Sequence, residues 1–323
     1  TSGTISATAF VGDGSGLTNI GSSGGSSLDS NNNVVIGTTL LSNSSNTSGI
    51  AIGYGALGSN TSGDQNHAIG YSALTANTTG IENVAFGYAA LGANTTGEFN
   101  VGLGNHSLQQ NTTGDNNTSI GYGALENNTT GSNNVSVGVR ALRANTSGTY
   151  NNAIGEGSLK SNTTGQANTA NGYQALYSNT TSGENTANGY QALYSNSTGA
   201  QNTAIGFKAL LSNTTGSNNT AVGDLALNSN TTGVQNTAIG RSANVSSDNL
   251  TNATAIGFNA QVNASDKIRL GNTAVTVIEG QVAFSNASDR RLKKDITSTK
   301  YGLETILKLV PVDYLLKSNN LSQ

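Results

Sequence analysis

Six tyrosines, Tyr54, Tyr71, Tyr88, Tyr122, Tyr173 and Tyr190, are separated by 17 residues or multiples of 17. A regular row of rings can serve as a contact stripe for sugars or surfaces, or as a packing seam. Asn105, Glu156, Asp224 and Arg241 occupy equivalent places, which implies that the row is at least partly exposed. Asn171 and Asn188 share the same spacing, and each replaces an aliphatic residue. On a buried seam such amides must find each other, water or an ion. On an exposed seam they need nothing. His67 and His106 fall in different places of the pattern, with no convergent acids, so neither a metal site nor a Ser-His-Asp triad is expected. No pair of carboxylates recurs, which leaves glycoside hydrolysis without marked residues. The stretch SNASDRRLKKDI, 285–296, sets Ser288 before a run of cations. From the residues alone it reads as a solvated basic cluster at a helix start. Its reactive alternative is a serine hydroxyl beside a lysine of lowered pKa.

The elements that position these residues follow a lattice. A glycine recurs at Gly53, Gly70, Gly87, Gly104, Gly121, Gly138, Gly155, Gly172, Gly189, Gly206, Gly223, Gly240 and Gly257, always 17 residues apart. Gly37 precedes the series by a step of 16, and Gly271 follows by a step of 14. We number each unit from this glycine, as position 0. Position −1 holds Ile52, Ile69, Phe86, Leu103, Ile120 and their successors; position +4 holds Leu57 to Leu227. Position +7 is asparagine from Asn60 to Asn230, and position +13 from Asn66 to Asn236.

A 17-residue unit is too short for a helical hairpin. It fits one coil of an all-β parallel β-solenoid, a left-handed β-roll of about 14 coils, with two short strands per coil and glycine and asparagine in the turns. Stacked at strand spacing, the coils would extend roughly 65 Å. The asparagine and threonine columns become hydrogen-bonded ladders. Each coil offers one isoleucine-type residue, one leucine and some alanine, a thin core. Association of several chains along their apolar sides is therefore expected, as an intertwined or side-by-side homotrimer. The chain divides into a cap or connector (1–33), the repeat region (34–262), a neck (263–288) and a C-terminal α+β segment (289–323).

Composition narrows the function classes. Only 10% of the 323 residues are charged, the net charge is −3, and there is no Cys, Met or Trp. This argues against a nucleic-acid surface and excludes disulfides and thiolate metal sites. No apolar run reaches the length of a membrane span, and no signal-peptide pattern opens the chain. No cofactor is implied. The GDGSG of the N-terminal segment reads as a tight turn rather than a phosphate loop. The Asn-Thr-Thr triplets read as turns and ladders rather than glycan acceptors.

Two resemblances add to this reading. The NTAIGYxALxxNTTG units over roughly 34–271 resemble the head repeats of YadA-like trimeric autotransporter adhesins, whose coils are about three residues shorter. That resemblance implies a trimeric left-handed β-roll. SNASDRRLKKDI resembles the start of the endosialidase-type intramolecular chaperone, or peptidase S74, domain that ends many phage and bacterial fibres. Ser288, Asp289, Arg291, Leu292 and Lys293 match its motif in order. The resemblance implies chaperone-assisted trimerisation, then self-cleavage between Ser288 and Asp289, with Ser288 as nucleophile and Lys293 as general base. Only 35 residues follow Ser288, so the chaperone reads as truncated and its cleavage as doubtful. The expected function is the shaft of an extracellular homotrimeric fibre on a virion or bacterial surface. Its partners are its own copies and a host glycan or protein; nucleic acid and membrane insertion are not expected. The mature fibre is not expected to be an enzyme. A polysaccharide-degrading tailspike, or a surface-binding solenoid with threonine columns such as Thr95, Thr112 and Thr129, is the alternative.

Overall fold

The structure is a computed structural model that describes residues 26–28, 34–36 and 49–279. The described residues contain eighteen strands and no helix. In chain order these are β1 (Ser26–Leu28), β2 (Val34–Ile36), β3 (Ile50–Ile52), β4 (His67–Ile69), β5 (Val84–Phe86) and β6 (Val101–Leu103). Then follow β7 (Thr118–Ile120), β8 (Val135–Val137), β9 (Asn152–Ile154), β10 (Thr169–Asn171), β11 (Thr186–Asn188) and β12 (Thr203–Ile205). The last are β13 (Thr220–Val222), β14 (Thr237–Ile239), β15 (Asn244–Val245), β16 (Thr254–Ile256), β17 (Gln261–Val262) and β18 (Ile268–Leu270). Sixteen of them form one sheet in strict sequence order, and β15 pairs with β17 in a second. Only β1–β2 is antiparallel; every other pair is parallel. Residues pair across the 17-residue step, as Ile50 with His67, and across 14 at the end, as Thr254 with Ile268. The protein is an all-β parallel β-solenoid of about 13 turns with a 17-residue period. The coils belong to a first compact unit, Thr1–Val275; the second is Thr276–Gln323.

Each regular coil has one three-residue strand, where the sequence suggested two. The NTTG side turns instead of extending. There the position +8 hydroxyl donates to the next coil's carbonyl, as Thr95 Oγ1 to the Thr112 oxygen at 3.0 Å. A strand of three residues points only its middle side chain inward. That residue is alanine in most coils, from Ala51 to Ala255, and it is buried. The interior is completed by position +3 alanines and by the fully buried leucines Leu57 to Leu227.

Two of the five side chains buried in a typical coil are amides. Every position +7 and +13 asparagine from Asn60 to Asn236 is buried. At +7, Asn77 Nδ2 donates to Asn60 Oδ1 at 2.7 Å, and Asn94 Nδ2 to Asn77 Oδ1 at 2.8 Å. At +13, Asn66 Oδ1 accepts from both the backbone N–H and Nδ2 of Asn83, at 3.0 and 3.1 Å. The two columns meet on the position +10 carbonyl: Gly80 O accepts from Asn66 and Asn77 at 2.7 and 3.0 Å. Buried amides are thus satisfied along the axis, as they must be. None of these ladder asparagines has positive φ. The hydrogen-bonded ladders expected of the asparagine columns are present, but they line the interior rather than the turns.

Positive φ falls elsewhere. The lattice glycines have φ from 115° to 143°, and a Cβ on Gly121 would lie 2.6 Å from the Gly138 oxygen. No side chain fits there, which explains the unbroken column. The buried leucines also take φ near +50°, for example Leu125 at 50° and Leu227 at 48°. An L-residue in that region costs about 1–2 kcal/mol. Fully burying a leucine returns about 1.5–3 kcal/mol, so burial wins by a narrow margin.

Candidate functional site

Two outer surfaces carry the residues that could make contacts. The first is the strand face, formed by positions −3 and −1. The sequence reading counted the position −1 column in the thin core without settling which apolar column faces outward. The alternation of a three-residue strand turns position −1 outward. Phe86 is 58% exposed in the single chain, and Ile120, Ile154, Ile205, Ile239 and Ile256 are likewise exposed. Position −3 mixes apolar residues (Ile50, Val84, Val101, Val135) with Thr118 and Asn152 in the first half of the sheet, and is threonine from Thr169 to Thr254. His67 stands in this column, on β4. Asn171 and Asn188 pair in register on β10 and β11 and lie exposed within the aliphatic column.

The second surface is the ladder at position +1. Tyr54, Tyr71 and Tyr88 stack with centroids 5.3 Å apart. His106, from the neighbouring column, fills the gap left by Asn105 and packs edge-on between Tyr88 and Tyr122 at 5.2 and 5.9 Å. Its Nδ1 lies 3.0 Å from Gln109 Oε1. A second ladder joins Tyr173, Tyr190 and Phe207 at 5.2 and 5.3 Å. Beside it, Gln191 Nε2 donates to Gln174 Oε1 at 3.0 Å. All six tyrosines are exposed, yet five of them stack on a neighbouring tyrosine; Tyr122 meets only the edge-on His106. Within the stacks the column presents ring edges and hydroxyls, and ring faces open at the stack ends and at Tyr122.

An open groove runs beside the first ladder, where Gly92, Ala76 and Ala93 carry little side chain; Tyr88, His106, Gln109 and Gln110 line it. Charge is sparse on both surfaces. Arg143 Nε meets Glu126 at 2.6 Å and Arg241 Nε meets Asp224 at 3.3 Å. The hydrogen bond to Glu126 raises the Arg143 pKa, and burial opposes it. Among the described residues, no group of three or more His, Asp or Glu side chains could hold a metal ion. The hydroxyls of Thr95, Thr112 and Thr129 are each engaged with the next coil's carbonyl. Those three positions therefore offer no free row of hydroxyls, whereas the neighbouring threonines Thr96, Thr113 and Thr130 lie exposed.

The structure brings the tyrosines together in ladders and sets Asn171 beside Asn188. The catalytic candidates Ser288 and Lys293, with Asp289, Arg291 and Leu292, lie outside the described residues, as does the expected C-terminal helix. The sequence left open which apolar column faces outward, although the Thr-Ala-Ile triplets carried the signal in their period of two. No helix among the described residues is long and apolar enough to cross a membrane. No curated protein matches the chain. Residues 288–322 match the chaperone of endosialidase family, Peptidase S74.

Proposed function

We propose that this chain is the shaft of a homotrimeric extracellular fibre that holds a contact surface away from a virion or cell, with a phage tail fibre the favoured setting. One observation carries the reading. An uninterrupted stack of coils, with an apolar column facing outward, is followed by a match to the chaperone of endosialidase at 288–322. A stack with no loop inserted in any regular coil suits a spacer, because each coil adds length without adding a site. Identical columns on three chains would present any weak contact three times and gain avidity. The likeness of the coils to YadA-like heads supports the same architecture. On this reading the C-terminal segment aids trimer folding, and maturation cuts between Ser288 and Asp289, with Ser288 the nucleophile and Lys293 its base.

The test is the solution mass by light scattering. A value near three times the 32.6 kDa chain mass supports the fibre. A folded monomer overturns it. Mass spectrometry of the purified protein reads the cleavage, which Ser288→Ala should abolish; an uncut wild-type chain would remove the maturation step alone.

A further inference from the structure

We propose that the strand face is the surface along which copies of this chain pack in parallel, and that Asn171 and Asn188 fix their register. The inference rests on the fibre reading and adds which face is used and what sets the alignment. Contiguous exposed apolar surface of more than a few hundred Å² marks an interaction site. Here an outward column, exposed or half-exposed and apolar except at Asn171 and Asn188, runs from Ile52 to Leu270 over fourteen strands of one parallel sheet. At strand spacing that is a strip about 60 Å long and, at two columns, about 10 Å wide. The footprint, roughly 600 Å² with the largely polar position −3 column included, approaches the ~800 Å² per partner of a stable interface.

The occupant is identified by what interrupts the strip. Asn171 and Asn188 stand between Ile154 and Ile205 in the same column, with Thr169 and Thr186 beside them. Once covered, their amides need partners. A second copy, parallel and in register, brings an amide to the same level as each. A copy slipped by one coil sets Asn171 against Ile154 and Asn188 against Asn171. That leaves two amides of each packed pair facing isoleucine. An antiparallel copy centred on the asparagine pair also matches amides, but it leaves Ile52 and Ile69 uncovered. The parallel arrangement covers the column over its whole length.

The chain contains no cysteine, so single cysteines can be introduced without background. Ile205→Cys and Ile120→Cys, five coils apart on the same face, are made separately in the full chain. Each is treated with a short bis-maleimide that matches the ~10 Å between packed sheets. Thr164→Cys, exposed on the turn side, is the control. We expect Ile205→Cys chains to cross-link to one another and Thr164→Cys chains not to. When Ile205→Cys and Ile120→Cys chains are co-refolded and spin-labelled instead, pulsed electron resonance should read one inter-chain distance of about 26 Å, from five coil steps along the stack and about 10 Å across it. Adding Asn171→Ile and Asn188→Ile should add distances of about 22 and about 30 Å, since the slipped register no longer strands two amides. A three-chain mass without Ile205→Cys cross-links refutes this face and leaves the fibre reading standing. Cross-links between Ile154→Cys and Ile205→Cys chains, in place of like-with-like, refute the parallel arrangement. An unchanged single distance in the double isoleucine variant refutes the register role. A monomeric mass removes both this inference and the fibre reading.

Discussion

Replacing Asn128 by alanine tests whether the amide ladders hold the coils together. Asn128 Nδ2 donates to Asn111 Oδ1 at 2.7 Å and to the Gly131 oxygen at 2.8 Å, and Asn128 Oδ1 accepts from Asn145 Nδ2 at 2.8 Å. The partners suffer unequally. Gly131 O keeps Asn117 Nδ2 at 2.9 Å, and Asn145 Nδ2 keeps the Gly148 oxygen at 3.0 Å. Asn111 Oδ1 loses the ladder bond from Asn128 and stays buried. Stranding one buried acceptor costs about 1–3 kcal/mol, and losing the second donor's bond adds about 0.5–1.5 kcal/mol. The expected total is about 2–4 kcal/mol. In a solenoid each coil contacts only its neighbours, so the opening should stay local. Native-state hydrogen exchange is the suitable assay, because a single melting temperature is poorly defined for a long repeat array. Protection in peptides spanning 105–148 should fall by about 30- to 1,000-fold, at tenfold per 1.4 kcal/mol. Distant coils should be unchanged. Thr130→Ala, at an exposed turn position, is the control and should change little. If Asn128→Ala behaves like Thr130→Ala, the ladder does not carry the stability argued here.

Three further outcomes are expected. Gly121→Ala places a Cβ 2.6 Å from the Gly138 oxygen at a φ of 134°, whereas Gly123→Ala meets nothing closer than the end of the Glu126 side chain at 3.1 Å, at a φ of 59°. The first should cost upwards of about 3 kcal/mol and the second about 1 kcal/mol, read by soluble yield and hydrogen exchange of the coil. Leu125→Ala should cost about 2–5 kcal/mol, while Tyr122→Ala, outside the core, should lose no more than the ring-pair contribution of about 0.5–1.5 kcal/mol. Equal effects would mean that the aromatic column holds the coil as firmly as the leucine does. Raising salt from about 50 mM to 1 M should leave exchange in coils 118–148 nearly unchanged, because a surface pair such as Arg143–Glu126 contributes about 0–1 kcal/mol. The raised Arg143 pKa keeps that contribution fully present below the residue's ordinary value, and it is lost only above it. A marked salt dependence would point to electrostatics that the structure does not contain.

The parts of the fold that were legible in the sequence are those where one atom decides the residue. The glycine lattice is strict because a Cβ there strikes the next coil's carbonyl. It therefore gave the period, the stacking and the absence of inserted loops. The leucine column was equally plain as core. The isoleucine column was ambiguous because an apolar residue in a thin repeat is naturally counted as interior. Only the three-residue strand length, set by the positive-φ glycine after it, turns both flanking side chains outward. The asparagine ladders were legible in the repeated columns, but their usual role as turn formers hid their place in the interior. Their burial depends on both columns meeting at Gly80 O and its equivalents, a long-range fact no single unit displays. Positive φ at Leu125, and at the position +12 residues Phe99 and Tyr150, left no trace in residue type. The candidate site divides in the same way. The aromatic spacing was visible, but the mutual covering of the ring faces follows from coil spacing and side-chain tilt.

These features together explain why the outer face should matter. Within one coil the leucine gains about 1.5–3 kcal/mol from burial and gives back about 1–2 kcal/mol to its left-handed backbone. Two further non-glycine positions in the coil, such as Arg140 and Tyr150, also take positive φ. The alanines at −2 and +3 add little area. The apolar interior of a coil is thus close to balanced, and order must come from hydrogen bonds between coils. Those bonds run along the axis, so they say nothing about what lies beside the stack. The largest apolar side chains apart from the leucines are Phe86, the isoleucines of the same column and the tyrosines, and all of them point outward. A chain that buries alanine and asparagine while exposing isoleucine and phenylalanine has placed its remaining hydrophobic free energy where only another surface can release it.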